Sequence, residues 1–408
     1  MIFSSRTTLK TVCSAVAVLL LVAACDSATI SPDLPTQPVT IPELPTQPST
    51  LPEQPTTVIA LPTSTPPPVG RTPLQQGFGA QKGFWQVYFT APTGSRDSKT
   101  YVGGIDGQLA DAINATTRTL DIAAFEFNNV VLTQAILDAH ARGVTVRMVV
   151  DDVHGIQDKE TTIGQFVAAG IPVVDDGRPA LMHNKFMILD GLSVWTGAWN
   201  YTINGTYRNN NNALALRSRS AVQAYQAEFN KMFELHVFGT AKTPTAKPLA
   251  NFTQDSVPIQ ILFAPEDRIV SALAVTLSSA QKSIQFLAFS FTLDDVAGVM
   301  QQKANQGVIV QGIFETTGSE TRSSELRPLL CSGLEMKQDG NPFVLHHKVM
   351  IIDGKTVITG SFNFSAGARD ENDENVVIIT DPDLALQYQE EFARRWAEAK
   401  VPTRITCT

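Results

Sequence analysis

Basic residues are in the minority in this chain. Its 408 residues include 31 Lys and Arg against 39 Asp and Glu, for a formal net charge of −8 and a pI of about 5.3. A protein built mainly to grip nucleic acid shows a basic footprint. This balance argues against that class and leaves room only for a local basic groove. Histidine is scarce as well, with six residues. No acidic ligands accompany the histidines at metal-binding spacing, so no zinc or magnesium constellation is visible and no cofactor is expected. Proline is scarce outside one stretch, because thirteen of its 24 residues fall between Pro32 and Pro73. Cysteine occurs four times, at 13, 25, 331 and 407. Hydrophobic residues, at 43%, suffice for a sizeable core.

What is present begins with a leader. Arg6 and Lys10 precede the apolar run "TVCSAVAVLLLVAAC", which gives residues 1–24 the form of a secretory signal peptide. Small residues stand directly before Cys25, as in a bacterial lipobox. Cys25 is therefore expected to carry the lipid and become the mature N-terminus. One acyl chain holds a protein only marginally at a membrane, whereas several hold it firmly. Residues 25–76 repeat Leu-Pro-Thr-Gln-Pro and read as an extended proline-rich linker. The protein is thus expected to be exported, extracytoplasmic and membrane-anchored. In that oxidising setting Cys331 and Cys407 form either a disulfide or two free thiols.

After the linker the sequence is written twice. "LDIAAFEF" (120–127) answers "IQFLAFSF" (284–291), and "ARGVTVRMVVDD" (141–152) answers "NQGVIVQGIFET" (305–316). "HNKFMILDGLSVWTGAWN" (183–200) answers "HHKVMIIDGKTVITGSFN" (346–363). His183, Lys185, Asp190, Gly197 and Asn200 each recur 163 positions later, as His346, Lys348, Asp353, Gly360 and Asn363. The chain therefore holds a duplicated unit, roughly 77–250 and 251–408. Each unit reads strand, helix, strand, helix, strand, strand, helix. Apolar runs such as "VTVRMVV" suit strands buried on both faces. "VLTQAILDAHARG" and "DDVAGVMQQKANQG" have helical spacing and end at glycine. The strand pair after each histidine turns at Asp-Gly. The expected fold is α/β: two duplicated lobes with mixed sheets, packed about a pseudo-twofold axis.

Strand alternation puts His183 and Lys185 on one face, and His346 and Lys348 likewise. If the lobes meet face to face, two histidines and two lysines converge on one pocket. Asn200 and Asn363 follow after a hairpin return and can add amide donors. Such a pocket suits a phosphodiester: lysines neutralise its free oxygens, one imidazole attacks phosphorus, and the other protonates the leaving oxygen. The lysines supply the positive charge, so no metal is required.

H-x-K-x4-D followed by G-S-x-N resembles the signature of the phospholipase D superfamily. Residues 346–363 match it fully, and residues 183–200 match it with Ala198 in the place of Ser361. The resemblance covers essentially 85–400. It implies a covalent phosphohistidine intermediate, released by water or another alcohol. It implies that Asp190 and Asp353 are structural or lie behind the reacting groups. It also implies a carboxylate 28 residues after a histidine, bonded to the second ring nitrogen. Glu374 stands there for His346, and Asn211 stands there for His183. On that pairing His346 is the nucleophile and His183 the general acid.

Other polar residues have plainer readings. His140 is expected on a helix surface, His154 and His236 sit in no motif, and His347 alternates to the far side of the sheet. Arg208, Arg217, Arg219, Arg322 and Arg327 lie near motif loops, where they either touch a headgroup or phosphate backbone or are solvated charge. The runs "FEFNN" and "FSFT" read as core.

The motif fixes the reaction better than the substrate. The leader and the acidic balance favour phospholipase D-type hydrolysis of phospholipids to phosphatidate. The alternative is an exported nuclease, since the second half is similar to the compact bacterial nuclease branch of the superfamily. A cardiolipin synthase-like phosphatidyl transferase fits less well, because such enzymes start with membrane-spanning helices. Both motifs lie on one chain, so a monomer is expected. Cys25→Ser should leave the chain unprocessed or release it from membranes, as read by fractionation and mass spectrometry. An unmodified, soluble mature wild-type protein would overturn the lipid-anchor reading.

Overall fold

The computed structural model describes residues 68–244 and 250–407. The expected signal peptide, Cys13, Cys25 and most of the expected linker lie outside the described residues. One part of the linker expectation is corrected. Gly70–Thr72 (β1) pairs with Phe78–Lys82 (β2), Leu74 packs on the first lobe's core, and the Gln76 N–H donates to Gly103 O. An edge strand needs partners on one side only, so a strand flanked by Pro68 and Pro73 is tolerated there.

Two mixed sheets follow, one per lobe. The first adds Trp85–Phe89 (β3), Thr119–Ala124 (β4), Thr145–Val150 (β5), Val173–Asp175 (β6), Lys185–Leu189 (β7), Ser193–Gly197 (β8) and Asn212–Leu216 (β9). Its order is β1-β2-β3-β9-β8-β7-β4-β5-β6, with β4, β5 and β6 parallel. The second holds Ala250–Gln254 (β10), Val257–Ala264 (β11), Ser283–Ala288 (β12), Ile309–Phe314 (β13), Glu335–Gln338 (β14), Lys348–Ile352 (β15), Thr356–Gly360 (β16) and Glu374–Thr380 (β17). Its order, β10-β11-β17-β16-β15-β12-β13-β14, repeats the first without the outermost strand. Ala250 already pairs in the second sheet, so the lobes divide just before it. The seven-element reading lacks the opening hairpins, helices Ile105–Asn114 and Ile269–Ser278, the short strands β6 and β14, the short helices Ile203–Tyr207 and Ala366–Asp370, and the strands β9 and β17.

Alternation along the strands sorts the core into layers. Phe186 and Ile188 of β7 face inward with Val349 and Ile351 of β15, while Met187 and Met350 face the outer cores. Helices Arg219–Phe233 and Pro382–Glu398 contribute Tyr225, Phe229, Tyr388 and Phe392 to the inner core. The lobes thus bury one shared core, and each keeps its own outer core. Cys331 and Cys407 are disulfide-bonded, which ties helix Leu326–Cys331 to the C-terminal segment.

The motif residues explain their own geometry. Asp190 and Gly191 take φ of 55° and 66°, and Asp353 and Gly354 take 54° and 61°, the left-handed pair that a tight hairpin turn needs. The Asp190 carboxylate accepts the N–H groups of Thr117, Arg118 and Thr119 at 2.7–3.2 Å. Asp353 accepts those of Gln281, Lys282 and Ser283 at 2.7–3.0 Å. Both aspartates sit at the opposite end of β7 and β15 from the lysines. They pin the hairpin to the start of β4 and β12 and do not support the histidines. Gly197 and Gly360 allow another close approach, since a Cβ there would meet Asn212 O at 2.5 Å and Asn375 O at 2.2 Å.

Across the shared core the polar contacts recur with the lobes exchanged, as a pseudo-twofold relation requires. Thr196 Oγ1 and Tyr225 OH donate to Asn375 Oδ1 at 2.8 and 3.1 Å, and Asn375 Nδ2 donates to Asn184 Oδ1 at 2.8 Å. Thr359 Oγ1 and Tyr388 OH donate to Asn212 Oδ1 at 2.9 and 3.3 Å, and Asn212 Nδ2 lies 2.9 Å from His347 Nδ1. His347 thus faces away from His346, as alternation predicts, and its Nε2 meets Glu391 at 3.1 Å.

The connection between the lobes carries a buried charge. Lys242 has no exposed side chain and binds both Glu228 of the first lobe and Asp373 of the second. Removing Lys242 leaves Glu228 with Lys231 alone and Asp373 with Arg178 alone among the described residues, each buried carboxylate short of one counter-charge. Lys242→Met should therefore cost about 3–5 kcal/mol of stability, read as a lower urea midpoint. A midpoint within error of wild type would refute this role.

Candidate active site

Each H-x-K segment is placed by the other lobe. The chain entering His183 runs parallel to the chain entering Glu374, with Met182 paired to Asp373. Asp373 N–H donates to Leu181 O at 2.8 Å and His183 N–H to Asp373 O at 3.0 Å. The arrangement repeats with Leu345 paired to Asn210, and His346 N–H donates to Asn210 O at 2.9 Å. Residues one step beyond each bridge lie side by side. His183 Nδ1 is therefore 2.8 Å from Glu374 Oε2, and His346 Nδ1 is 2.9 Å from Asn211 Oδ1. This corrects the pairing expected within each lobe. The spacing of 28 residues marks the right positions, but the lobes exchange them.

The rest of each partner's environment follows. Ser361 Oγ donates to Glu374 Oε2 at 2.6 Å, and Asn372 Nδ2 donates to Oε1 at 3.3 Å. Asn211 Nδ2 donates to Gly205 O at 2.9 Å, so its oxygen is the atom turned to the ring. A carboxylate needs a hydroxyl donor that an amide does not, which accounts for Ser361 beside Glu374 and Ala198 beside Asn211.

Lys185 Nζ donates to His183 O at 2.6 Å, and Lys348 Nζ donates to His346 O at 2.8 Å. Each ammonium also stands over a phenylalanine, Phe125 at 4.7 Å and Phe289 at 4.6 Å. The same rings meet the histidines edge-on at 4.7 and 4.9 Å. These phenylalanines, expected as core, are walls of the site. His154, assigned no role from sequence, packs 4.6 Å from Phe125. Glu126 was also missed; its Oε2 accepts from Asn200 Nδ2 at 2.8 Å. Its mismatch with Ser290 in the repeat was the available signal. Oδ1 of Asn200 and of Asn363 is buried with no hydrogen-bond partner among the described residues.

Carboxylates behind the histidines hold the loops. Asp151 accepts the Met182 N–H at 3.1 Å, and Glu315 accepts the Leu345 N–H at 2.7 Å. Asp151, Asp152 and Asp176 gather within 4.8 Å. Backbone N–H groups of Asp152, Val153 and His154 and the Arg178 guanidinium, 3.2 Å from Asp176, engage this trio. It serves as a loop staple. Burial, then Asp151, pushes Asp176 up to about 7.

The site titrates far from ordinary values. Burial, followed by the lysine charges, pushes both His183 and His346 well below the usual imidazole range. Burial pushes Lys185 down to about 7, and burial with the charge of Lys185 pushes Lys348 well below its usual range. Burial pushes Glu374 up to about 8, against the pull of Lys185, Ser361 and Asn372. Lys185 is therefore charged below about pH 7 and neutral above it. An anion gains from that charge. Affinity for sulfate, which does not titrate here, should fall as pH rises through 7 in calorimetric titrations. Lys185→Arg should flatten the fall. Affinity that rises with pH would contradict the assignment.

The family described as "Cardiolipin synthase, PLD-like domain" matches residues 109–233 and 273–396, once per lobe. The mitochondrial cardiolipin hydrolase of Chlamydomonas reinhardtii is 33% identical over 120 residues, 29% of this chain and 54% of that protein. The phospholipase D of Rickettsia bellii is 32% identical over 139 residues, 34% of this chain and 69% of that protein. The chain thus spans only about half the length of the first of these relatives. Phosphatidylserine synthase of Haemophilus influenzae superposes over 74% of this chain and 86% of its own, with a TM-score of 0.54 and 14% identity, which shows the fold alone. Two matched repeats covering most of both lobes, each with its H-x-K segment in the shared site, make this chain a member of the phospholipase D superfamily.

Proposed function

We propose that this protein is a phosphodiesterase that hydrolyses phospholipids to phosphatidate through a phosphohistidine, without a metal. The observation that carries the chemistry is the crossed support of the two histidines. His183 rests on Glu374 and His346 on Asn211. Glu374, pushed up to about 8 by burial, is drawn into its carboxylate form by the positive imidazole that forms when Nε2 attacks, and at Nδ1 it stabilises that charge more than a neutral amide does. This support assigns His183 as nucleophile and His346 as acid, the reverse of the expectation from sequence.

In the first step His183 Nε2 bonds to phosphorus and the bond to the headgroup oxygen breaks. The negative charge of the bound phosphodiester favours the cationic, doubly protonated form of His346, which gives its Nε2 proton to that oxygen. Lys185, Lys348 and the two asparagines hold the non-bridging oxygens. In the second step His346 takes a proton from water, the hydroxide bonds to phosphorus, and the N–P bond breaks. Phosphatidate leaves and both histidines return to their starting forms.

The lipid substrate is supported by relatives named phospholipase D and cardiolipin hydrolase, by the net charge of −8 and by the lipobox. The same reading puts the enzyme outside the cytoplasm on a lipid anchor at Cys25. It also makes the enzyme active as a monomer, since one chain supplies both halves of the site.

The test uses a phosphodiester with a p-nitrophenol leaving group, in EDTA throughout. Either histidine changed to Ala should lower steady-state turnover by about 10³-fold or more. The activated leaving group needs little protonation, so His346→Ala should still accumulate phosphorylated His183, seen by mass spectrometry after an alkaline quench. His183→Ala should accumulate none. Phosphate on His346 in the His183→Ala protein would reverse the assignment. Wild-type activity lost in EDTA and restored by a divalent ion would end the metal-free mechanism.

A further inference from the structure

The two ends of the site differ at positions three residues before the histidines and their partners. By the internal repeat, Phe343 corresponds to Ala180 and Arg208 to Glu371. The Arg208 guanidinium lies 5.2 Å from the centre of the Phe343 ring, and that of Arg96 lies 5.3 Å from the same ring. Arg208 Nε also donates to Tyr101 OH at 2.7 Å. Arg96 and Tyr101 belong to residues 90–104, between β3 and helix Ile105–Asn114. The second lobe has only residues 265–268 at that place. Long connections in a compact domain are commonly functional. This one reaches the other lobe, where Gly94 lies against Pro342.

Among the described residues, neither Arg96 nor Arg208 forms an ion pair with a carboxylate. Two guanidiniums gathered on one ring without a counter-ion make a site for an anion with several oxygens. Phe343 and Arg208 head the paired segments that end at His346 and Asn211, about 10 Å away along an extended chain. The opposite end has the reverse character. Glu371 is exposed there, and Arg178 is engaged by Asp373 and Asp176.

We propose that Arg96, Arg208 and Phe343 form a subsite for a second phosphate, carried on the leaving headgroup of a phospholipid. The proposal rests on the phosphodiesterase reading and on His346 as the group facing the leaving oxygen. A nucleic acid strand fits less well, because it carries phosphates on both sides of the broken bond and one of them would meet Glu371. A lipid with a phosphorylated headgroup places its further charge on one side only.

The test compares phosphatidylglycerol with phosphatidylglycerol phosphate in mixed micelles, using the full chain. Wild type should show a kcat/KM about tenfold or more higher for the phosphorylated headgroup, the size expected of a charged contact. Arg96→Gln and Arg208→Gln should each cut that ratio by about threefold or more, and the double variant should abolish it. Arg96 is exposed and its side chain holds no hydrogen bond among the described residues, so its variant tests the subsite without a folding ambiguity. An equal loss on both lipids, or a ratio unchanged in the double variant, would overturn the subsite. An arginine-dependent preference for an oligonucleotide over both lipids would overturn the lipid assignment. A wild-type protein that hydrolyses no diester, including bis-p-nitrophenyl phosphate, would instead sink the phosphodiesterase reading beneath it.

Discussion

The structure depends on two short parallel pairings between lobes, Met182 with Asp373 and Asn210 with Leu345. Each sets a histidine beside a side chain it could not reach within its own lobe. Backbone hydrogen bonds fix the register, and a one-residue slip would turn the wrong side chain to the ring. The lobes must therefore dock correctly before either histidine has its partner. The shared inner core, with Phe186, Tyr225, Phe263, Val349 and Tyr388 from both halves, makes that docking part of folding. The lobes accordingly form one compact unit.

Duplication gives two equal halves, but a phosphodiester has two unlike substituents. The chain resolves this by changing a few positions and keeping the scaffold. Glu374 with Ser361 faces Asn211 with Ala198, Glu126 stands opposite Ser290, and Arg208 opposite Glu371. The buried polar interface diverges as well. Glu391 binds His347 in the second lobe, whereas its counterpart Glu228 turns to Lys242 and Lys231 in the first. A buried carboxylate requires a partner, so each change at one position forces another nearby.

The site is kept short of water and rich in nearby charge. Two lysines, two histidines and Glu374 are all buried there, and burial is the largest influence on each. An arriving phosphate oxygen would supply the counter-charge that the lysines lack. The unpartnered oxygens of Asn200 and Asn363 show the same incompleteness on the acceptor side.

The sequence alone determined the repeat, the α/β class, the Asp-Gly hairpin turns and the histidines, lysines and asparagines of the motif. These follow from local rules, namely strand alternation, turn preference and spacing, which operate within a few residues. The resemblance of its motifs to the phospholipase D superfamily further implied Glu374 and Asn211 as partners of the histidines. Only the tertiary structure decided whose partner each is, because the bridges at Asp373 and Asn210 join residues 191 and 135 positions apart. The same limit hid β9 and β17, whose place between hairpins is a matter of sheet order, and the linker's last residues, which become a strand only against Phe78–Lys82. Phe125 and Phe289 looked like core because apolar character is visible in sequence, while the group an aromatic ring faces is set by the opposing surface.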